Sequence, residues 1–348
     1  MATFYVKPEV TAERQEFYGR IDKKNTAPLW EALARLVTPE PQPVAVPVMW
    51  RYDEIRPLLM EAGLLITAKE AERRVLVLEN PGLRGKSQIT GSLYAGLQLV
   101  LPGELTPSHR HVASALRFIV EGTGAYTAVN GERTIMHPGD FIITPSWTFH
   151  DHGNHSEEPV VWLDGLDMPI VNLFDSSFAE HHPQETQPET LPIGDVYARY
   201  SANMLPVDYQ SPSASSPVFN YPYARSREAL DRLLKNGPLD ACHGIKMQYI
   251  NPATGGFPMP TIGTFLQVLP KGFSGAPYRG TDATVHCAIE GRGHSKIGDE
   301  TFAWGPRDIF VVPSWVPVSH HADGESVLFS FSDRPAQKSL GLWRERRS

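Results

Sequence analysis

Residues 103–154, GELTPSHRHVASALRFIVEGTGAYTAVNGERTIMHPGDFIITPSWTFHDHGN, hold His109 and His111, then His150 39 positions further on and His152 two beyond it. Side chains along a β-strand alternate between faces, so residues i and i+2 share one. His109 and His111 therefore turn two imidazoles to one side of a strand while Arg110 faces the other. Between the two histidine groups lie Glu121-Gly122-Thr123-Gly124, Val129-Asn130-Gly131-Glu132 and Pro138-Gly139-Asp140, three turn signals separating short alternating strands. This punctuation folds the chain back as hairpins and brings His150 near the first pair, which makes a three-imidazole set suited to a metal ion.

Outward from this stretch the strand pattern continues. Val75-Leu76-Val77-Leu78 and Leu97 to Leu101 precede it, and Val160-Val161-Trp162-Leu163 follows. Upstream the period is helical: Thr11 can cap a first helix, Leu29, Trp30, Leu33, Leu36 and Val37 share a face, Ile55, Leu58, Leu59 and Ala62 form another that stops at Gly63, and Thr67 to Glu70 is a capping box. Downstream, Gln184 to Glu189 and Ser211 to Pro217 are polar, proline-rich and without period, as expected of a surface linker. A short helix around Leu230, Leu233 and Leu234 follows, and strands resume.

The later strands repeat the earlier ones. Glu121-Gly122-Thr123-Gly124 recurs as Glu290-Gly291-Arg292-Gly293, Pro138-Gly139-Asp140 as Pro306-Arg307-Asp308, and Pro145-Ser146-Trp147 as Pro313-Ser314-Trp315, at offsets of 169, 168 and 168. The same register puts Tyr278, Gly280 and Val318 where His109, His111 and His150 sit, so the second copy has lost its ligands; His320, the counterpart of His152, then reads as an ordinary histidine. The expected fold is mainly β: two β-barrel domains with an N-terminal helical segment. The expected boundaries are 1–72 (helical segment), 73–174 (metal-binding barrel), 175–237 (linker with a short helix) and 238–348 (second barrel without ligands).

Composition excludes several functions. The chain of 348 residues has 32 basic and 39 acidic side chains and a net charge of −7, which disfavours nucleic acid or an anionic membrane as partner. Two cysteines are too few for a disulfide framework, and Met1-Ala2-Thr3-Phe4-Tyr5 lacks the features of a signal peptide, so a reducing, cytoplasmic setting is expected. No apolar run reaches membrane-spanning length. With 28 glycines and 31 prolines the composition suits many short strands joined by turns.

These motifs resemble those of the cupin superfamily, the two copies making a bicupin of jelly-roll domains. The first cupin motif, G-x5-H-x-H-x3,4-E-x6-G, is met by Gly103, His109, His111 and Gly122, with Ala115 at the glutamate position; the second is met by Gly139, Pro145, His150 and Asn154, with Trp147 in place of glycine. The missing glutamate, the Pro-Ser-Trp segment and Leu93 to Glu104 together look like the gentisate 1,2-dioxygenase family, which includes salicylate and 1-hydroxy-2-naphthoate dioxygenases. The resemblance implies an Fe(II) enzyme, a homotetramer, that uses O2 to open an aromatic ring between its carboxyl-bearing and adjacent hydroxyl-bearing carbons.

The residues suit that chemistry. Three neutral imidazoles leave a divalent ion its full charge, which the carboxylate and phenolate of an ortho-hydroxybenzoate would offset. Arg117, six residues past His111, shares its face if the strand is regular and could grip the carboxylate bidentately. His152 shares the parity of His150 and could act as acid or base. Similarity to the family adds Tyr94, Gln98 and either Arg73 or Arg74, which point opposite ways on a strand. Gly96, in parity with Gln98, removes a side chain from the barrel wall and makes room for salicylates as well as gentisate. Competing readings are a zinc isomerase or hydrolase, because three histidines also suit zinc, and a non-catalytic binding bicupin.

Overall fold

The computed structural model describes residues 9–348, so the reading of Met1 to Tyr5 lies outside the described residues. The chain divides into two compact units, Met1–Gln42 and Pro43–Ser348. In the first, α1 (Ala12–Asp22) is capped by the Thr11 side chain, which accepts the backbone N–H of Arg14. It is followed by α2 (Leu29–Leu36), on which Leu29, Trp30 and Leu36 are exposed.

The second unit opens with β1 (Val48–Trp50), α3 (Tyr52–Leu65) and α4 (Ala68–Ala71), the last held by the full Thr67/Glu70 capping box. Helix α3 runs past Gly63 rather than stopping there. Gly63 serves close packing instead: a Cβ would stand 3.0 Å from the Leu99 side chain.

The first barrel comprises β2 (Val75–Val77), β3 (Tyr94–Val100), β4 (Leu105–His111), β5 (Ala115–Glu121), β6 (Ala125–Val129), β7 (Glu132–Ile135), β8 (Phe141–Thr144), β9 (His150–Asn154) and β10 (Val160–Leu166). Helix α5 (Met168–Leu173) closes it. The segment expected to be a bare surface linker contributes β11 (Ala179–His181), α6 (Asp195–Tyr200), β12 (Asn220–Tyr221) and α7 (Tyr223–Asn236). Two sheets result, in the orders β12-β8-β5-β10-β3-β2 and β11-β4-β9-β6-β7, so the linker supplies an edge strand to each. Gln187, inside the polar stretch, is buried; it bonds the carbonyls of Ala128 and Phe149 and accepts the N–H of Gly131.

The second barrel repeats the plan with β13 (Ile245–Gln248), β14 (Gly263–Leu269), β15 (Tyr278–Gly280), β16 (Thr284–Glu290), β17 (Gly293–Ile297), β18 (Glu300–Trp304), β19 (Ile309–Val312), β20 (Val318–Ala322), β21 (Ser326–Ser332) and β22 (Glu345–Arg347). Its sheets run β1-β19-β16-β21-β14-β13 and β18-β17-β20-β15-β22, so β1, from the stretch expected to be helical, belongs to this barrel. The repeat extends to backbone detail. Trp147 and Trp315 both adopt left-handed φ, 59° and 62°, and donate their N–H to His111 O and Gly280 O, equivalent acceptors in the two copies. A tryptophan thus holds the conformation for which cupin motifs use glycine. The broad sheets of the two barrels share one core in which Phe118 and Phe329 stack at 4.1 Å.

Candidate metal centre and substrate pocket

Strands β4 and β9 are antiparallel neighbours with His109 directly opposite His150. Alternation brings His111 to the same face, so that ring centroids lie 4.4 Å (His109–His150), 4.9 Å (His111–His150) and 5.3 Å (His109–His111) apart. Their ligand atoms all fall within 4.8 Å of one another, the one such group among the described residues. His111 Nδ1 lies 2.7 Å from Ala113 O and His150 Nδ1 3.0 Å from Thr148 O. A carbonyl only accepts, so both Nδ1 atoms carry protons and both Nε2 lone pairs are free. Burial lowers the pKa of all three, His109 to about 3 with Arg73 adding to the effect, and this keeps the set neutral and fit to ligate. Ala115, at the glutamate position of the motif, lines the same pocket, so no carboxylate joins the set. The residues present fit a divalent metal held by imidazole alone.

Beside the triad is a pocket of about 160 Å³, of the order of the roughly 150 Å³ cavity that holds a benzene ring. Arg73, Val75, Tyr94, Gln98, Arg117, Asp164, Leu166 and Met168 line it with the histidines. Arg117 does not arrive by the route the sequence suggested. The chain turns a corner between β4 and β5, and Arg117 projects from the opposite sheet. It is buried, donates through Nη1 to Thr144 Oγ1 at 2.5 Å, and stands with Nε 3.7 Å from Asp164 Oδ1, an ion pair longer than a hydrogen bond. Gln98 is also buried with its Nε2 unpaired, and Gly96 lies between Tyr94 and Gln98 on the same strand face. Arg73 Nη2 stands 2.6 Å from His109 Nδ1 and donates to Pro107 O. His109 also hydrogen-bonds the Pro107 backbone carbonyl, which as an acceptor places a proton on that ring nitrogen and leaves the other nitrogen's lone pair for a metal.

Arg74 is a correction. It points to the other side of the strand, where Glu104 binds it bidentately and Ile66 O accepts its Nε, so it does not reach the pocket. His152 is fully buried. Thr127 donates its one hydroxyl proton to Met136 Sδ and so accepts from His152 Nδ1 at 2.8 Å, which leaves the unpaired Nε2 a bare acceptor facing inward.

Sequence reasoning missed Asp164, which takes the Trp162 indole N–H at 3.0 Å and whose carboxyl burial raises to about 6 against the pull of Arg117. Its signal was a single acid at the end of an apolar strand. His181, read as a solvated linker residue, is exposed on β11. It pairs with His109 across β11 and β4 and borders a cavity of about 680 Å³ that shares Arg73 and His109 with the pocket.

Comparison with known proteins agrees with this geometry. Residues 96–166 match the Cupin domain family. Gentisate 1,2 dioxygenase 1 of Aquipseudomonas alcaligenes is 58% identical over 346 residues, covering 99% of this chain and 100% of that protein. The 5-aminosalicylate 1,2-dioxygenase of Comamonas sp is 36% identical over 93% of this chain and 87% of its own. The crystal structure of salicylate 1,2-dioxygenase from Pseudaminobacter salicylatoxidans matches with a TM-score of 0.92 at 33% identity, covering 98% of this chain and 99% of that one; an adduct of that enzyme with gentisate matches at 0.91. With the duplicated barrel and the three-histidine centre, these full-length similarities place the chain in the gentisate 1,2-dioxygenase family of ring-cleaving bicupin oxidoreductases.

Proposed function

We propose that this chain binds Fe(II) through His109, His111 and His150 and, with O2, opens the ring of gentisate or a closely related 5-substituted salicylate between the carboxyl-bearing and adjacent hydroxyl-bearing carbons. The observation that carries the substrate class is an all-imidazole triad facing a ring-sized pocket that holds two arginines and a single carboxylate. When bound, iron supplies a redox-active centre with coordination space for both dioxygen and a chelating hydroxy acid. Arg117, held by Thr144 at Nη1 and facing Asp164 with Nε, orients the substrate carboxylate with its remaining guanidinium N–H groups. Arg73 adds positive charge at the same end. His152 Nε2 accepts a hydrogen bond from the substrate hydroxyl. Val75, Ala115, Leu166 and Met168 provide the apolar wall that excludes water from the ring.

The test is anaerobic reconstitution with Fe(II) or Zn(II), metal analysis, and oxygen uptake on gentisate, 5-aminosalicylate, salicylate and catechol. One metal per chain is expected, with turnover only on carboxylate-bearing rings and only with iron. His109→Ala, His111→Ala and His150→Ala should lose metal and turnover, and Val318→Ala should keep both. Full activity in His150→Ala, or catechol cleaved as readily as gentisate, would sink the proposal. A cytoplasmic homotetramer is part of it, supported by two free buried cysteines and by the exposed Leu29, Trp30 and Leu36 of α2. Light scattering at monomer mass would remove the assembly.

A further inference from the structure

The polar interior of the first barrel recurs in the second as the same buried chain of three side chains, with one member exchanged. In the first barrel Thr127 stands opposite His152 across β6 and β9, and Met136 comes directly after β7, its N–H bonded to Ala125 O. In the second, Ser295 stands opposite His320 across β17 and β20, and Trp304 pairs with Gly293. The repeat offset of 168 carries Ala125, Thr127, Met136 and His152 onto Gly293, Ser295, Trp304 and His320. Each hydroxyl oxygen lies 2.8 Å from an imidazole Nδ1. The third member differs in kind. Met136 offers a sulfur 3.4 Å from Thr127 Oγ1, whereas Trp304 offers an indole N–H whose nitrogen is 2.9 Å from Ser295 Oγ.

A hydroxyl has one hydrogen to give, so the third member decides which way it faces the imidazole. Burial holds both imidazoles below their usual pKa, and each neutral ring carries a single hydrogen. A thioether only accepts. Thr127 therefore gives its hydrogen to Met136 and receives that of His152 Nδ1, which leaves His152 Nε2 bare. An indole only donates. Ser295 takes the indole hydrogen and has its own left for His320 Nδ1, which puts the ring hydrogen of His320 on Nε2. Equivalent histidines thus hold opposite tautomers. The reverse arrangement is unfavourable for His152. Were Thr127 to turn toward Nδ1, the sulfur would lose its donor, and Nε2, buried and without a hydrogen-bond partner, would carry a stranded N–H. Thr127, Met136 and His152 are all fully buried, so bulk water does not compete for these hydrogens.

We propose that Met136, acting through Thr127, is a positioning residue that fixes His152 in the tautomer with a bare Nε2, the form able to accept the hydrogen bond of the substrate hydroxyl. In the other tautomer His152 would present an N–H to a group that must itself donate. Neither Met136 nor Thr127 lines the substrate pocket, so both act only through His152. The inference rests on the role given to His152 above, and the positions of the hydrogens test it apart from that role.

Neutron crystallography of the perdeuterated, anaerobic Fe(II)-loaded enzyme locates the hydrogens. Deuterium is expected on His152 Nδ1 with none on Nε2, on Thr127 Oγ1 toward Met136 Sδ, and on Ser295 Oγ toward His320 Nδ1. Met136→Leu keeps the volume and removes the acceptor, so Thr127 should turn to Nδ1 and deuterium should appear on His152 Nε2. In oxygen uptake on gentisate, Met136→Leu and Thr127→Val should each lose about tenfold or more in kcat with KM within about threefold, and Thr127→Ser should recover most of the loss. Trp304→Phe, which removes the donor in the other barrel, should keep kcat/KM within about twofold of the parent. Should Thr127→Val fail to fold, Met136→Leu and Thr127→Ser decide the matter. Deuterium on His152 Nε2 in the parent, or the parent kcat in Met136→Leu, would overturn the proposal. The parent kcat in His152→Ala would instead remove His152 from the reaction, and this function of Met136 with it, even if every hydrogen lay where expected.

Discussion

Arg117 is 4% exposed and held by Asp164 and Thr144, so its head group is fixed within the pocket. Arg117→Ala should lower kcat/KM by about 10² or more, because truncating a buried charge partner costs roughly 2–5 kcal/mol, with metal content unchanged; a near-normal value would leave the carboxylate to Arg73. Gly96 is not among the residues that line the pocket, where the sequence had placed it. A Cβ there would meet Val75 Cγ1 at 2.4 Å and the Tyr94 hydroxyl at 3.1 Å, and both of those residues line the pocket. Gly96→Ala should therefore move the wall through Val75 and reduce kcat/KM for salicylates more than for gentisate; an unchanged ratio would show that the wall does not select between them. In the second barrel, burial lifts the Asp333 carboxyl to about 6. The unfolded chain titrates near 3.9, so the native state binds the proton more readily and stability falls as the pH rises from about 4 to about 6. Asp333→Asn retains an acceptor for the Ala283 N–H and should gain about 1–3 kcal/mol at pH 7 and nothing near pH 4. Thermal melts at the two pH values check this, and a gain at pH 4 instead would reverse the assignment.

At the scale of elements, parity along β4 and β9 was sufficient to bring His109, His111 and His150 together, because alternation is a local property and the turns between the strands left one way to fold back. The linker was harder to read. Its sequence is polar and rich in proline because it lies against the barrel wall through side-chain and edge-strand hydrogen bonds rather than through a periodic apolar face. Gln187 is the main tie, bonding three backbone groups of the β6–β9 region. Gln187→Ala should cost about 1–3 kcal/mol by leaving those groups buried without partners, measurable as a lower urea midpoint. An unchanged midpoint would return the segment to a loose surface linker.

Across the whole molecule, the two barrels are bound by one apolar layer and by polar clasps that no repeat motif signals. Glu121 of the first barrel accepts from Arg56 and Tyr52 of α3 and from Arg307 of the second barrel, and Asp167 takes the Ser114 N–H and the Thr261 hydroxyl. This offers a structural reason for keeping a barrel without ligands. Its broad sheet covers the outer face of β5 and β10, the strands that carry Arg117 and Asp164, so the pocket rests on a wall that cannot shift outward. Gly165 shows how close the fit is, since a Cβ there would stand 2.7 Å from the Phe331 ring.

The sequence by itself determined the duplicated barrel, the register of the two copies, the clustering of His109, His111 and His150 and the absence of histidines at their counterparts, because each follows from spacing along one strand or from a repeat offset. Only the tertiary structure decided which of Arg73 and Arg74 enters the pocket, that Asp164 lines it, and that the second barrel keeps a polar interior. Alternation states which residues share a face; it does not state which face is inside, nor what the opposite sheet sets against it, and both depend on how the two sheets close.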